Sequence, residues 1–377
     1  VWVDKYCLRD ENGDLVENSP HAMHKRLAEE IYRIEQNYIN PLSIDEIFNM
    51  LKDFKYLIPG GSPMAGIGNN HLMSSLSNCF VIHNNYDHYG AIFVTDEEQV
   101  QLMKRRGGVG HDLSMLRPAG ASTSNSAKSA TGVVSFMKRY SNSTGEVAQV
   151  GRRGALMLSL SINHPDAENF IKAKQDRVNV VYANVSLRVT DDFMRAVVED
   201  DDFYQTFPIN LSSEQISKEF GELTLEETPY DELIEGCTRN VFLKKVKARK
   251  LWKMITESAW AHAEPGVLFW DRILNESPAR GYGEYWREKS TNPCGELPLP
   301  EHDSCRLMAL NLYSYVDNPF EKGARFNFEK FKDHARKAQR IMDNLVELEI
   351  EKIEAILIKI KKGFCPFMTN NEEGGYA

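Results

Sequence analysis

Apolar positions recur at helical spacing in several separate stretches of the chain. After Ser19-Pro20, an N-cap followed by proline at the first helical position, Met23, Leu27, Ile31 and Ile34 fall on one face and predict an amphipathic helix. A second helix is predicted to open with the capping box Ser43-Ile44-Asp45-Glu46 and to bury Ile47, Leu51 and Phe54. Thr95-Asp96-Glu97-Glu98 predicts the cap of a helix running to Arg106. Residues 132–149 predict a helix presenting Val133, Phe136, Met137, Tyr140 and Val147, residues 165–174 a short one, and 247–262 another. From 327 to 362 the apolar period set by Phe328, Phe331, Ala335, Ala338, Met342, Leu345 and Leu348 predicts one long helix, or two in line, closed by Gly363. Between the helices, residues 77–83, 155–162, 184–189 and 266–270 are strand-like, the third ending at the cap Thr190-Asp191-Asp192. Strand and helix alternating in this way predict parallel βαβ units and an α/β fold. There is no internal repeat or low-complexity segment, and the acidic stretch 191–235 is assigned to the surface.

Composition narrows the picture. A chain of 377 residues suggests two to three domains or one large barrel, and 42% hydrophobic with 26% charged residues excludes wholesale disorder. With Lys+Arg 45 against Asp+Glu 54 the net charge is −9, which argues against a general nucleic-acid or anionic-membrane binder. Any phosphate ligand must then be held by local donors. The stretch 56–86 has no Asp, Glu, Lys or Arg, yet Pro59, Gly60, Gly61, Pro63, Gly66 and Gly68 break it too often for a membrane helix. It is expected to be backbone threading a buried region. The charged start VWVDKYCLRDENGD has no signal-peptide character, and a first residue other than Met with an atypical last fifteen residues suggests a fragment. Six cysteines far apart, with no CxxC, form a cytosolic thiol pattern and not a disulfide scaffold.

Three cysteines stand out. Cys79 heads a strand in Ser77-Asn78-Cys79-Phe80-Val81-Ile82; Cys294 sits in Asn292-Pro293-Cys294-Gly295-Glu296; Cys305 follows eleven residues on. Cys7, Cys237 and Cys365 are assigned as small buried hydrophobes. Proline before Cys294 and glycine after it predict a rigid, exposed turn. If that loop is extended, Asn292, Cys294 and Glu296 project to one side and gather an amide, a thiol and a carboxylate suited to hydrogen-atom and proton transfer. Zinc on Cys294, His302 and Cys305 is disfavoured because structural sites use a tighter knuckle of about two to four residues. A Cys-His nucleophile has no supporting spacing. Two glycine-rich segments remain open between ligand loop and simple turn. Arg105-Arg106-Gly107-Gly108-Val109-Gly110 follows a helix, so it fails the context test for a dinucleotide fingerprint and favours a tight turn. Gly151-Arg152-Arg153-Gly154 is either a mobile guanidinium clamp for a nucleotide or a solvated turn.

These motifs together resemble the catalytic subunit of ribonucleotide reductase. The resemblance rests on NxCxE at 292–296, SNCFVI, RRGGVGHDLSMLRPAG, TGVVSFMKRYSNSTGEVAQ, GRRGALMLSLSINHPDAENFIKAKQD and NVSLRVTDDFMRAV, in the family order. It covers nearly everything from Val1 to Lys361. The Cys294–Cys305 gap is similar to class II, the adenosylcobalamin-dependent enzymes. The resemblance implies a ten-stranded α/β barrel over 71–362, incomplete here, with the finger loop near 292–296, a helical N-terminal region over 1–70 and an unmatched tail at 363–377. It implies that Cys294 holds a transient thiyl radical, Glu296 acts as base at the 3′-hydroxyl, and Asn292 orients the sugar. It further implies that Cys79 and Cys305 supply two reducing equivalents and finish as a disulfide, with no metal site. Ser77, Gly107 and Gly108, with the glycine run through Gly110, would line the substrate pocket, and Arg152, Arg153 and Gly154 would link an effector site to the substrate base. The implied partners are a ribonucleoside diphosphate substrate, a dNTP or ATP effector, a thioredoxin-like reductant and a second copy in a homodimer, in the cytoplasm, with no nucleic acid or membrane. The family's second barrel half, its Ser-rich phosphate loop, its C-terminal cysteine pair and the late tyrosines of class I have no counterpart here. Two alternatives stand beside this one: a class I large subunit taking its radical from a metalloprotein subunit, and a catalytically silent nucleotide-binding fragment.

Overall fold

The structure is a computed structural model that describes residues 1–10, 12–83, 86–121, 123, 125–149, 152–175, 178–208 and 241–361. The expectations for Cys237, Cys365, Gly151, Gly363, the tail at 363–377 and the acidic stretch past residue 208 lie outside the described residues. Contacts divide the chain into two units. One comprises Val1–Asn78, Arg105–Gly107 and the chain from Cys305 onward; the other comprises Cys79–Lys104 and Gly108–Ser304.

After a single helical turn at Trp2–Lys5, the first unit runs through α1 (Pro20–Glu35) and α2 (Ile44–Leu51). Ser19 Oγ accepts from the Ala22 N–H at 3.3 Å, and the Ser43/Glu46 capping box is complete. Met23, Leu27, Ile31, Ile47 and Leu51 are fully buried, while Phe54 is half-buried in a 3-10 turn. β1 (Leu57–Pro59) and α3 (Gly61–Gly66) follow in the uncharged stretch, which is largely buried as expected.

The second unit runs through β2 (Cys79–Val81), α4 (Tyr89–Met103), β3 (Gly108–Asp112), α5 (Val133–Glu146), the short pair β4 (Ala148–Gln149) and β5 (Arg152–Arg153), and β6 (Leu156–Ser161). It continues with α6 (Ala167–Lys172), β7 (Asn184–Val189), α7 (Asp191–Glu199), the antiparallel pair β8 (Asp202–Pro208) and β9 (Val241–Lys247), α8 (Ala248–His262), β10 (Gly266–Phe269) and α9 (Trp270–Glu276). Strands β2, β3, β6, β7 and β10 lie side by side in chain order and all pair in parallel, so each crossover adds its strand at the same edge. Every residue of β6 is buried, as a central strand covered by crossover helices requires. Val133, Met137 and Tyr140 of α5, Phe170 and Ile171 of α6, and Leu251 and Ile255 of α8 close the core against the sheet.

A small hairpin, β11 (Ser290–Thr291) with β12 (Pro298–Leu299), leads to β13 (Ser304–Cys305) at the β2 edge, where the Val81 N–H donates to the Asp303 carbonyl at 3.0 Å. Back in the first unit, β14 (Met308–Leu310) pairs antiparallel with β1, and α10 (Phe328–Lys361) is one continuous helix burying Ala338, Ile341, Leu345 and Leu348. The α/β expectation holds. Among the described residues the main sheet has six strands, and the closed ten-stranded barrel implied by the resemblance is not observed. No described helix is long and apolar enough to cross a membrane.

Several local expectations give way. The helix predicted to start at Thr95 starts at Tyr89, because His88 Nδ1 caps the Ala91 N–H at 3.2 Å; Thr95 is internal, its hydroxyl donating to the Ala91 and His83 carbonyls. The glycines at 108 and 110 form a buried strand, not a turn. The described part of the acidic stretch contributes Phe193, Val197, Phe203 and Phe207 to the interior, since its apolar positions hold the helical and then the strand period. Cys7 is half-buried, with its thiol donating to the Glu17 carbonyl at 3.3 Å, and burial pushes its pKa up.

Candidate functional site

Within the second unit, the loop carrying Cys294 is a tight turn and not an extended strand. The Gly295 N–H donates to the Asn292 carbonyl at 3.0 Å, the Asn292 N–H donates to the Leu297 carbonyl at 3.0 Å, and the Leu297 N–H returns to Asn292 Oδ1 at 3.0 Å. Gly295 has φ +84°, which a side chain would strain. The turn therefore separates what an extended loop would align. Cys294 and Glu296 are exposed, while Asn292 is fully buried, with its Nδ2 facing no hydrogen-bond partner among the described residues. An orphaned buried donor is costly unless something outside the protein accepts from it.

Two glycines of β3 make room for this turn. A Cβ on Gly108 would stand 2.6 Å from Pro293 Cγ, and one on Gly110 would overlap the Thr291 carbonyl oxygen. Cys79 of β2 is in register with Gly108, and Val81 with Gly110, so the buried Cys79 lies on the strand next to the one the finger crosses. Asn184 Nδ2 donates to the Pro293 carbonyl at 2.9 Å.

Residues not foreseen from the sequence anchor the base of the finger. Arg188 of β7 donates from Nη1 to the Lys289 carbonyl at 3.1 Å, lies 3.3 Å from Asp112 through Nε, and stacks its guanidinium 4.5 Å over the Trp270 ring. Asp112 Oδ2 accepts from Ser159 Oγ at 2.8 Å, and Ser159 meets Ser290 Oγ at 3.2 Å. An arginine inside the apolar strand NVSLRV was the available signal, because a charge in a covered strand needs a partner. Beyond the finger, His83 Nδ1 lies 2.5 Å from Glu301, and this contact holds the Glu301 carboxyl below its usual range. Burial pushes the Lys289 ammonium down and the Glu98 carboxyl up.

Ser77, Gly107 and Cys305 belong to the first unit. Ser77 is fully buried, and its N–H donates to Ser75 Oγ at 2.9 Å. The next residue, Asn78, donates its N–H to the Cys305 carbonyl at 2.9 Å, so Cys305 and the segment leading to Cys79 are brought side by side. None of Cys7, Cys79, Cys294 and Cys305 is in a disulfide. Arg152 and Arg153 form β5, paired antiparallel with β4, and Gly154 follows where a Cβ would meet Met103 Sδ at 2.6 Å. Among the described residues no group of three His, Cys, Asp or Glu side chains is arranged to hold a metal ion.

Residues 77–362 match the family of the ribonucleotide reductase barrel domain. The chain is 32% identical over 340 residues to a vitamin B12-dependent ribonucleoside-diphosphate reductase of Thermoplasma acidophilum, covering 88% of this chain and 38% of that protein. It is 28% identical to the enzyme of the same name from Mycobacterium tuberculosis, over 92% of this chain and 45% of that protein. With the large subunit of the ribonucleoside-diphosphate reductase of Variola virus it shares 24% identity, over 96% of this chain and 45% of that protein. The chain thus spans less than half the length of these curated relatives.

Proposed function

The chain belongs to the ribonucleotide reductase barrel-domain family, and from that premise we propose that it carries the catalytic residues of an adenosylcobalamin-dependent reductase that converts ribonucleoside diphosphates to 2′-deoxyribonucleotides. The observation that carries this reading is the finger: an exposed thiol at the tip of a turn locked against β3, beside a buried amide whose Nδ2 has no partner among the described residues. Relatives named vitamin B12-dependent support the cofactor over the class I alternative. The fit of that cofactor to this chain rests on Cys294, the one candidate thiol that is exposed. When bound, adenosylcobalamin supplies the radical that removes a hydrogen atom from a thiol.

Cys294 then takes the 3′ hydrogen of the ribose and later returns it. Glu296, exposed beside it, takes the proton of the 3′-hydroxyl. Asn292 donates from Nδ2 to a sugar oxygen while its Oδ1 stays committed to the turn. The 2′-hydroxyl leaves as water, and Cys79 and Cys305 each give up one proton and one electron, closing a disulfide; two thiols balance the two-electron reduction. A thioredoxin-like dithiol restores them. Ser77, Gly107 and Gly108 line the substrate pocket, and Arg152, Arg153 and Gly154 couple a dNTP or ATP effector to substrate choice. The family barrel, ten-stranded when closed, is assigned to 71–362 with the finger at 292–296, the helical region to 1–70 and a separate tail to 363–377. The exposed Tyr89, Phe93 and Val94 of α4 give a homodimer its apolar contact. The reductase works in the cytoplasm.

The test uses the full-length polypeptide that carries this sequence. Turnover is expected to require adenosylcobalamin. Cys294→Ser is expected to abolish release of 3′ tritium from labelled substrate, whereas Cys79→Ser and Cys305→Ser retain that release and lose deoxyribonucleotide formation. Turnover supported by a di-iron or di-manganese subunit without cobalamin overturns the assignment in favour of class I, and nucleotide binding without any 3′ exchange favours the silent fragment.

A further inference from the structure

The segment 64–77, buried on either side of an exposed stretch at 70–73, has no Asp, Glu, Lys or Arg, and several of its backbone polar groups are met by side chains from elsewhere in the first unit. Arg26 of α1, itself held by Glu17 at 2.6 Å, donates to the Met64 carbonyl at 3.0 Å and to the Ile67 carbonyl. Lys352 of α10 donates to the Asn69 carbonyl. One helical turn earlier, Glu349 accepts from the Leu76 N–H through one oxygen and from Ser75 Oγ at 2.6 Å through the other. The Ser75 hydroxyl accepts in turn from the Ser77 N–H at 2.9 Å. Ser77 is fully buried and Glu349 is only 3% exposed.

Glu349 is an expensive choice for mere packing. Among the described residues it forms no salt bridge, the nearby Lys352 ammonium acting on it only through space, and a buried carboxylate without a salt-bridge partner is commonly less stable than an apolar side chain of similar size. Its two oxygens are both committed to the two residues immediately before Ser77. A carboxylate in this place has a geometric use: it offers each of the two donors its own oxygen, where an amide has a single acceptor oxygen and a hydrocarbon none.

We infer that Glu349 is a positioning residue for nucleotide binding, acting through the Ser75 hydroxyl to hold Ser77 in the conformation that receives the ribonucleoside diphosphate. The inference rests on the assignment of Ser77 to the substrate pocket. Lys352 provides a second grip, so α10 grasps both ends of the segment 69–77. The clamp is built from a helix far along the chain, and neither Glu349 nor Lys352 touches the ligand.

The test compares the wild-type chain with Glu349→Gln, Ser75→Ala and Ser75→Thr. Three quantities are measured: affinity for ADP and CDP by equilibrium dialysis, hydrogen exchange of the peptide covering 72–78, and exchange of the α1 amides as a control on folding. Glutamine keeps the size of glutamate but accepts at one oxygen only. Glu349→Gln and Ser75→Ala are expected to speed exchange at Leu76 and Ser77 and to weaken nucleotide binding by about tenfold each, the order expected for losing a hydrogen bond to a charged group. Ser75→Thr keeps the hydroxyl and is expected to bind within about twofold of wild type, a rescue that general loosening does not produce. Because Ser75→Ala deletes one oxygen and leaves the carboxylate one backbone donor, it decides the question if Glu349→Gln does not fold. Wild-type binding with unchanged affinity in both Glu349→Gln and Ser75→Ala overturns the clamp and leaves the reductase assignment standing. A wild-type chain that binds neither nucleotide overturns the assignment of Ser77 beneath it, and the clamp with it.

Discussion

In the sheet unit, the finger turn rests on β3 because Gly108 and Gly110 have no side chains where Pro293 and Thr291 approach. In the helical unit, the segment before Cys79 is held by Arg26, Glu349 and Lys352, charged groups reaching into a stretch that has none. The first arrangement works by steric fit, with backbone against backbone at van der Waals distance. The second works by hydrogen bonds to ions, which tolerate small displacements but fail when a charge or an acceptor is removed. The two regions therefore differ in what damages them. The seat of the finger on β3 is sensitive to added volume, and the hold on residues 75–76 to lost polar atoms.

The sharpest way to break this contrast is to add a single carbon. Gly110→Ala places a Cβ on the Thr291 carbonyl, a collision with backbone that no rotamer change relieves. It is expected to cost about 3 kcal/mol or more, at the upper end for overpacking, read as a drop in the urea midpoint with loss of finger protection in hydrogen exchange. An equally stable Gly110→Ala would mean that the finger rests on the sheet loosely.

A second experiment asks whether the sheet unit has an electrostatic weakness after all. His111 lies fully buried in β3, hydrogen-bonded to Gln99 at 3.2 Å and edge-on to Tyr140, and burial pushes its pKa down to about 3. With its folded pKa below the unfolded value, the unfolded chain binds the extra proton between these two values. The neutral imidazole's contribution is therefore complete above about pH 6.5 and lost as pH falls toward 3, at roughly 1.4 kcal/mol per pH unit. Wild type is expected to lose about 2–3 kcal/mol more than His111→Gln between pH 6.5 and 4.5, measured by urea titration at each pH. Parallel curves for the two proteins would sink this account.

The smallest effect belongs to the helical unit. Ser43→Ala removes the Oγ that caps the Glu46 N–H at 3.2 Å on an exposed helix start. It is expected to cost about 1 kcal/mol, seen in the thermal midpoint, with no change in nucleotide binding. A larger loss, or altered binding, would mean that α2 carries more of the unit than its cap suggests.

What the sequence by itself determined is local. The caps at Ser19, Ser43 and Thr190 are where the short-range pattern placed them, and the strand Asn184–Val189 has the predicted bounds. The long apolar period after Asn327 became α10, and proline and glycine around Cys294 marked a rigid exposed turn. Periodicity and capping depend on residues a few positions apart, so a single chain displays them. The tertiary structure decided which distant groups meet. It set Gly110 under Thr291, joined Arg188, Asp112, Ser159 and Ser290 from separate stretches, buried Asn292 while exposing Cys294, and brought Glu349 to Ser75. His88 took the helix cap from Thr95 for a similar reason, since the Thr95 hydroxyl found the His83 carbonyl just past β2. Such contacts depend on strand order and on which face each helix turns inward, and those are properties of the whole packed chain, set by burial against partners that local spacing does not name.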